Sequence, residues 1–383
     1  MVAERVKIIS RLIKRIYAKN RHEIIGLLFR RYPAFILSDH SEHPTEIPAF
    51  VFHEVSTDSF VPMLQFLADN QYATLTADEY VERQITKERG HTREVLLTFD
   101  DGHKSLYTHA FSALKELGLK AVAYIVPGMI PDSRYSDDSK ETVCSWKEIL
   151  EMFESDVIDF QSHSMYHHSI SISDQLVDFV RPHMRPSSFD DFVPLLPEEG
   201  RVKELYELEY GTPILAWSPR FSTARAFHES PDTVLACVEH VKRSGGTDYF
   251  QKTNWHRQLK AVMADACTKN PDRGYETDAG QRQAIKDDFI NSRQMIENRL
   301  PGKKAEHFCY PWFHGSALSV EISAEVGYVS NAWGSLLPSF FQSNRNLINI
   351  SRISPTYLWR LPGKGRKLLK DVLLTRLAQV YRK

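Results

Sequence analysis

Short apolar segments recur along this sequence, each followed by a stretch with helical spacing, and that alternation leaves few folds open. Ala49–Phe52, Val95–Phe99, Ala121–Val126 and Val157–Phe160 are too short for helices and read as strands. Between them, Phe60–Asn70, Ser105–Leu117 (stopped by Gly118) and Ser145–Glu154 carry the spacing of amphipathic helices. Strands that are apolar throughout are those buried on both faces, which means a parallel sheet covered by helices. The rhythm returns late in the chain with a helix over Gln281–Leu300, a strand at His307–Tyr310, a helix at Ala317–Val326 and strands at Val329–Trp333 and Leu347–Ile353. The expected class is α/β, with a mostly parallel sheet or barrel.

Residues 169–280 break this pattern with scattered prolines and many charges, and are read as an inserted cap. The expected organisation is a helical extension over 1–47, a barrel over 48–355 holding that insertion, and a helix over 356–383.

Composition excludes several classes. The chain has 383 residues, 48 Lys+Arg against 49 Asp+Glu, and no apolar run near the roughly 18 residues a membrane span needs. The near-zero net charge gives no reason to expect a nucleic-acid partner. The charge is unevenly placed: residues 1–31 hold nine Lys/Arg and two Glu, and residues 360–383 hold eight Lys/Arg and one Asp, a net of +7 at each end. Val6, Ile9, Ile13 and Ile16, and likewise Leu369, Val372, Leu373, Leu377 and Val380, recur at helical intervals. Basic amphipathic ends of this kind suit either an anionic membrane surface or packing on the barrel. Four widely spaced cysteines, none in a CxxC pair, and basic residues interrupting the first apolar positions favour the cytoplasm.

The chemistry is carried by two short motifs. Asp100-Asp101-Gly102 follows a buried strand, at the edge of a parallel sheet where active sites gather. Adjacent carboxylates point in different directions, so one can hold a cation while the other stays free as a base. His163 and His167 follow a later strand at the same edge and can grip one ion. The Glu of an HExxH protease is missing, so this is not a zincin. One carboxylate and two imidazoles make an open site for zinc or another divalent ion.

In these motifs the sequence resembles the polysaccharide deacetylases with a NodB homology domain, carbohydrate esterase family 4. The resemblance lies in Thr98-Phe99-Asp100-Asp101-Gly102, His163-Ser164-x-x-His167 and Phe308-x-Tyr310-Pro311-Trp312, with Phe52-His53-Glu54-Val55 and Ser145-Trp146-Lys147-Glu148 as context. It implies a distorted (β/α)7 barrel and metal-dependent removal of N-acetyl groups from amino sugars. Asp101, His163 and His167 would bind one divalent ion, Zn2+ first and Co2+, Ni2+ or Mn2+ as alternatives. Asp100 would be the base for the attacking water, and a backbone N–H near Tyr310 would help hold the oxyanion.

Two departures from the family pattern stand out. Cys309 occupies the place of an arginine that steadies the base, and Leu347–Ser354 lacks the histidine that supplies the general acid. His53 and His314 are the expected replacements, with His103 and His168 nearby. Tyr166, Tyr310, Pro311, Trp312 and Trp333 are the expected sugar-binding residues. The substrate is expected to be an acetylated amino sugar in a glycan or in a lipid- or nucleotide-linked saccharide. Removal of a formyl or other acyl group, and a sugar-binding barrel without catalysis, are the alternatives.

Overall fold

The computed structural model describes residues 32–38, 44, 46–88, 93–132, 142–184, 197–198, 201–202, 208–335 and 347–382. The basic helix expected near the N-terminus, and the shorter one at His22–Arg31, lie outside them.

Seven parallel strands close into a barrel. In chain order they are β1 (Ala49–Phe52), β3 (Glu94–Asp101), β4 (Ala121–Ile125), β5 (Ile158–Ser162), β12 (His307–Cys309), β13 (Ser330–Trp333) and β14 (Ile348–Ile353). Each pairs with the next, and β14 returns to β1 through Ala49 opposite Arg352. A two-residue strand, β2 (Ala73–Thr74), pairs with the start of β3. The (β/α)7 expectation therefore holds.

Alternation along each strand sorts the side chains. Val95, Leu97 and Phe99 of β3 face outward into the large core shared with the helices. Leu96, Val122, Tyr124, Cys309, Ala332 and Ile350 fill the interior of the barrel. Helices follow the strands at Thr57–Asp69, Trp146–Glu154, Asp278–Arg299 and Ala317–Glu325. The helix expected after β3 opens as a π-helical turn, Leu106–Ala110, before Phe111–Glu116.

The insertion is more ordered than its prolines suggest. β6 (Ser169–Phe179) pairs antiparallel with β9 (Pro213–Pro219), and the helices Pro231–Arg243 and Trp255–Lys269 pack around Phe179, Leu215, Tyr249 and Leu259. Two-residue strands β7 (Pro197–Glu198) with β8 (Arg201–Val202), and β10 (Phe227–His228) with β11 (Gly274–Tyr275), complete it. Three of the prolines sit where they cost little: Pro231 in the first turn of a helix, Pro213 and Pro219 at strand ends.

The basic C-terminal segment is partly turned inward. Arg360 and Arg366 donate to the carbonyls of Ile36, Ser38 and Phe35, around the last turn of the helix Ala34–Leu37. Lys367 lies 4.0 Å from the centre of the Trp359 ring. Those three charges satisfy and cover the fold. A helix spans Leu369–Arg382, shorter than the 356–383 expected, because Pro355–Arg360 forms a separate 3-10 turn and residues 361–368 are not helical. No helix among the described residues is long and apolar enough to cross a membrane.

Candidate active site and metal centre

Strand parity delivers the chemistry to one end of the barrel. Asp100 shares the inward face of β3 with Leu96, and Asp101 follows with a left-handed backbone (φ 70°), as does Gly102 (φ 74°). Those two residues turn the chain so that both carboxylates stay at the rim. His163 comes one residue after β5 and donates its own N–H to the Ile125 carbonyl of β4. His167 is returned to it by a tight loop in which Ser164 Oγ accepts the His167 N–H at 2.8 Å.

Asp101, His163 and His167 converge. Nε2 of His163 lies 3.4 Å from Oδ1 of Asp101, and Nε2 of His167 lies 3.6 Å from the same oxygen. Ligands about 2.1 Å from a tetrahedral ion stand roughly 3.4 Å apart, so the spacing fits a zinc-sized cation. The Asp101 oxygen they face is buried without a hydrogen bond, as a ligand atom awaiting an ion is. Nδ1 of His163 donates to the Cys309 carbonyl at 2.8 Å, which holds the ring with Nε2 turned toward Asp101. Burial pushes the His167 imidazole down to about 3, so it is neutral and ready to bind. Burial acts the same way on His163, but the surrounding Cys309, Asp100 and Asp101 raise it well above the ordinary range. The Cys309 thiol is itself pushed up by burial and stays protonated, so the two carboxylates carry that effect.

Asp100 stands beside this triad and is held by a residue that the sequence reading did not single out. Arg352, on β14, places Nη1 2.6 Å from Oδ1 and Nη2 2.9 Å from Oδ2 of Asp100, a bidentate pair with both side chains buried. Burial alone would raise the Asp100 carboxyl; Arg352 above all, with His163 and His53, holds it below its usual range. The signal was present: Ile348, Ile350 and Arg352 alternate, so an interior Ile350 puts Arg352 inside as well.

The loops that assemble the site are strained. Of nine non-glycine residues with positive φ among the described residues, five lie here: Asp101, Ser164, His167, Trp312 and Phe313. Such clustering marks a backbone held by its surroundings for a functional geometry. Gly128, in the turn after β4, donates its N–H to the Met165 carbonyl, and a Cβ there would meet that oxygen at 2.5 Å.

The other expected site residues divide. His53 follows β1, is half exposed, and places Nε2 3.9 Å from Oδ2 of Asp100. His314 is exposed after the turn Pro311–Phe313; the histidine paired with Asp100 is His53. Burial and Arg220 lower His168 to about 4, which makes it a poor proton donor near neutrality. The His103 ring lies 3.3 Å from Ser105 Oγ. Trp312 is half-buried with its ring 4.2 Å from that of His167, and Tyr166 is half-buried on the same loop as the histidines. Pro311 is buried. Tyr310 and Trp333 differ from expectation: both are fully buried and stack on each other at 4.0 Å, so neither offers a face to a sugar. The Tyr310 N–H is also committed, to the Ala332 carbonyl at 3.3 Å, because it continues the β12–β13 pairing. The oxyanion donor expected near Tyr310 is therefore not the N–H of Tyr310 itself.

Residues 87–181 match the family described as polysaccharide deacetylase, a segment holding the aspartate and histidine motifs. That segment is thus similar to the polysaccharide deacetylases, as the motifs implied. The YxkH protein of Bacillus subtilis (strain 168) is 30% identical over 95 residues, 22% of this chain and 34% of that protein. The poly-beta-1,6-N-acetyl-D-glucosamine N-deacetylase of Staphylococcus epidermidis is 27% identical over 120 residues, 31% of this chain and 39% of that protein. The matches thus span between a third and two-fifths of those relatives. Among solved structures, a de-N-acetylase from Aggregatibacter actinomycetemcomitans is 13% identical, with a TM-score of 0.49 over 81% of this chain and 95% of that one. The deacetylase domain of BpsB from Bordetella bronchiseptica is 15% identical, with a TM-score of 0.48 over 80% and 95%.

Proposed function

We propose that this chain is a metal-dependent hydrolase that removes the N-acetyl group from an amino sugar within a glycan. The observation that carries this reading is the convergence of Asp101, His163 and His167 beside an ionised, separately held Asp100. The family match and the activity of the staphylococcal relatives support it. Zn2+ is the proposed occupant, on the ligand spacing. Such an ion would polarise the amide carbonyl and lower the pKa of a water toward about 7.

The chain's own residues do the rest. Asp100 accepts the proton of the attacking water, and its pairing with Arg352 keeps it ionised for that task. Its Oδ2 is the oxygen nearest His53, which stands at the open rim and gives a proton to the departing amine. One water is consumed, the amide C–N bond breaks, and acetate and the free amine leave. Trp312 and Tyr166, both half-exposed, are the proposed surfaces for the sugar ring. The arginine whose absence from the third motif favoured an inactive barrel has a counterpart in Arg352, which weighs toward catalysis.

The cytoplasm is the proposed compartment, since all four cysteines are unpaired. A nucleotide- or lipid-linked saccharide is then the proposed form of the substrate. The test is incubation of zinc-loaded protein with acetylated polymers, lipid-linked saccharides and nucleotide sugars, scored by acetate release. Acetate from wild type and none from Asp100→Asn supports the reading. Formate or another acid from the corresponding acyl sugars, with no acetate, would redirect it to a different deacylase.

A further inference from the structure

All five N–H donors of Arg352 are used. Nε donates to the Trp333 carbonyl at 3.1 Å. Nη1 donates to Asp100 Oδ1 and, at 3.1 Å, to Thr98 Oγ1, while Nη2 donates to Asp100 Oδ2 and, at 2.8 Å, to Cys309 Sγ. A guanidinium with every donor matched in a dry interior has one available position. Two rings hold it there, Tyr124 with its centre 5.3 Å from Cζ and Phe313 at 5.4 Å. Phe313 reaches that place through the left-handed backbone at Trp312 and Phe313, which also lays Trp312 against His167. One strained turn therefore closes over a metal-ligating imidazole and over the partner of the base.

We infer that Arg352 is the residue that positions Asp100 for proton transfer, and that Cys309 is kept small because its space belongs to the Arg352 guanidinium. The inference rests on the proposed deacetylase reading. With Nη2 2.8 Å from Sγ, a side chain longer than cysteine at 309 has to displace the guanidinium. An arginine is thus accommodated from β12 or from β14, not from both. The pair also orients its carboxylate: with Oδ1 and Oδ2 held by two parallel N–H bonds, Oδ2 stands 3.7 Å from Cys309 Sγ and 3.9 Å from Nε2 of the half-exposed His53.

The test uses full-length, zinc-loaded Arg352→Ala, Arg352→Lys, Cys309→Arg and the double variant Cys309→Arg/Arg352→Ser. Zinc content, kcat and KM for acetate release are measured together. Positioning predicts that Arg352→Ala keeps one zinc per chain and a KM within about threefold while kcat falls about a hundredfold or more. Arg352→Lys recovers little, because three donors on a point charge cannot replace a planar fork of five. Cys309→Arg alone loses activity, and the double variant regains at least about tenfold over Arg352→Ala. Should Arg352→Ala fail to fold, the lysine and double variants decide.

Folded, zinc-loaded Arg352→Ala with kcat within about threefold of wild type overturns the inference. So does a double variant no better than Arg352→Ala. A second readout needs no turnover: in the NMR spectrum the Arg352 Nη protons should be resolved and slowly exchanging, and should collapse in Asp100→Asn. Unresolved Nη protons in wild type count against the assembly. A wild-type chain that releases no acetate from any saccharide, yet shows the resolved guanidinium, counts against the proposed function and supports the Arg352–Asp100 pairing.

Discussion

Asp288, on the helix Asp278–Arg299, accepts the Met165 N–H at 2.8 Å with Oδ1 and keeps Oδ2 buried without a hydrogen bond. Met165 lies between His163 and His167 of the proposed metal site, so this carboxyl fastens their loop to the body of the barrel. Burial raises it from 3.8 to about 7. A carboxyl raised on folding contributes its stability fully below its unfolded pKa and loses it as pH climbs through the folded value. Stability of the metal-free protein should therefore drop between about pH 4 and pH 7, by on the order of a few kcal/mol at about 1.4 per pKa unit. Asp288→Asn retains the acceptor for Met165 and should remove that part of the slope, whatever its baseline cost. Denaturant midpoints of both proteins at pH 4.5 and 8 measure it; equal slopes would refute the assignment.

The triad should report its ion as stability. A ligand that binds only the folded state at a hundred times its Kd adds about 2.7 kcal/mol, so Zn2+ should raise the melting temperature of wild type. Asp101→Ala and His167→Ala each remove one of the three proposed ligands and should show little or no rise. A full thermal shift in either variant would place the ion elsewhere.

His53→Ala should lose about a hundredfold in kcat toward an acetylated amino sugar while keeping its zinc. The cause assigned to it is protonation of a poor leaving amine. An aryl acetate, whose phenolate leaves unprotonated, should be hydrolysed almost as well by the variant as by wild type. Equal losses on both substrates would give His53 a different role.

Gly128→Ala tests the packing behind the histidine loop. The added Cβ would stand 2.5 Å from the Met165 carbonyl oxygen and 2.6 Å from the Tyr166 ring. We expect a cost of about 1–3 kcal/mol, since backbone must move to relieve it. Zinc affinity should fall about tenfold or more with it, as for other losses of ligand support. Calorimetric unfolding and a zinc titration check the two together; wild-type affinity in the variant would uncouple the Gly128 turn from the site.

The sequence by itself determined the barrel and the edge at which its aspartate and histidine motifs meet. Fully apolar strands at βαβ spacing require a covered parallel sheet, and motifs placed just after two such strands have to meet at one rim. That inference used residues close in sequence, where strand parity and turn chemistry act locally. Tertiary structure alone decided what stands behind the motifs. Cys309 read as a missing arginine, yet the guanidinium arrives from Arg352 on β14, because closing the ring puts strands distant in sequence side by side. Tyr310 and Trp333 read as sugar platforms but are sealed against each other, and Asp288 reaches the histidine loop across 123 residues. Alternation could place Arg352 inside the barrel, but which aromatic is buried and which partner a charge finds depends on contacts made when the barrel closes.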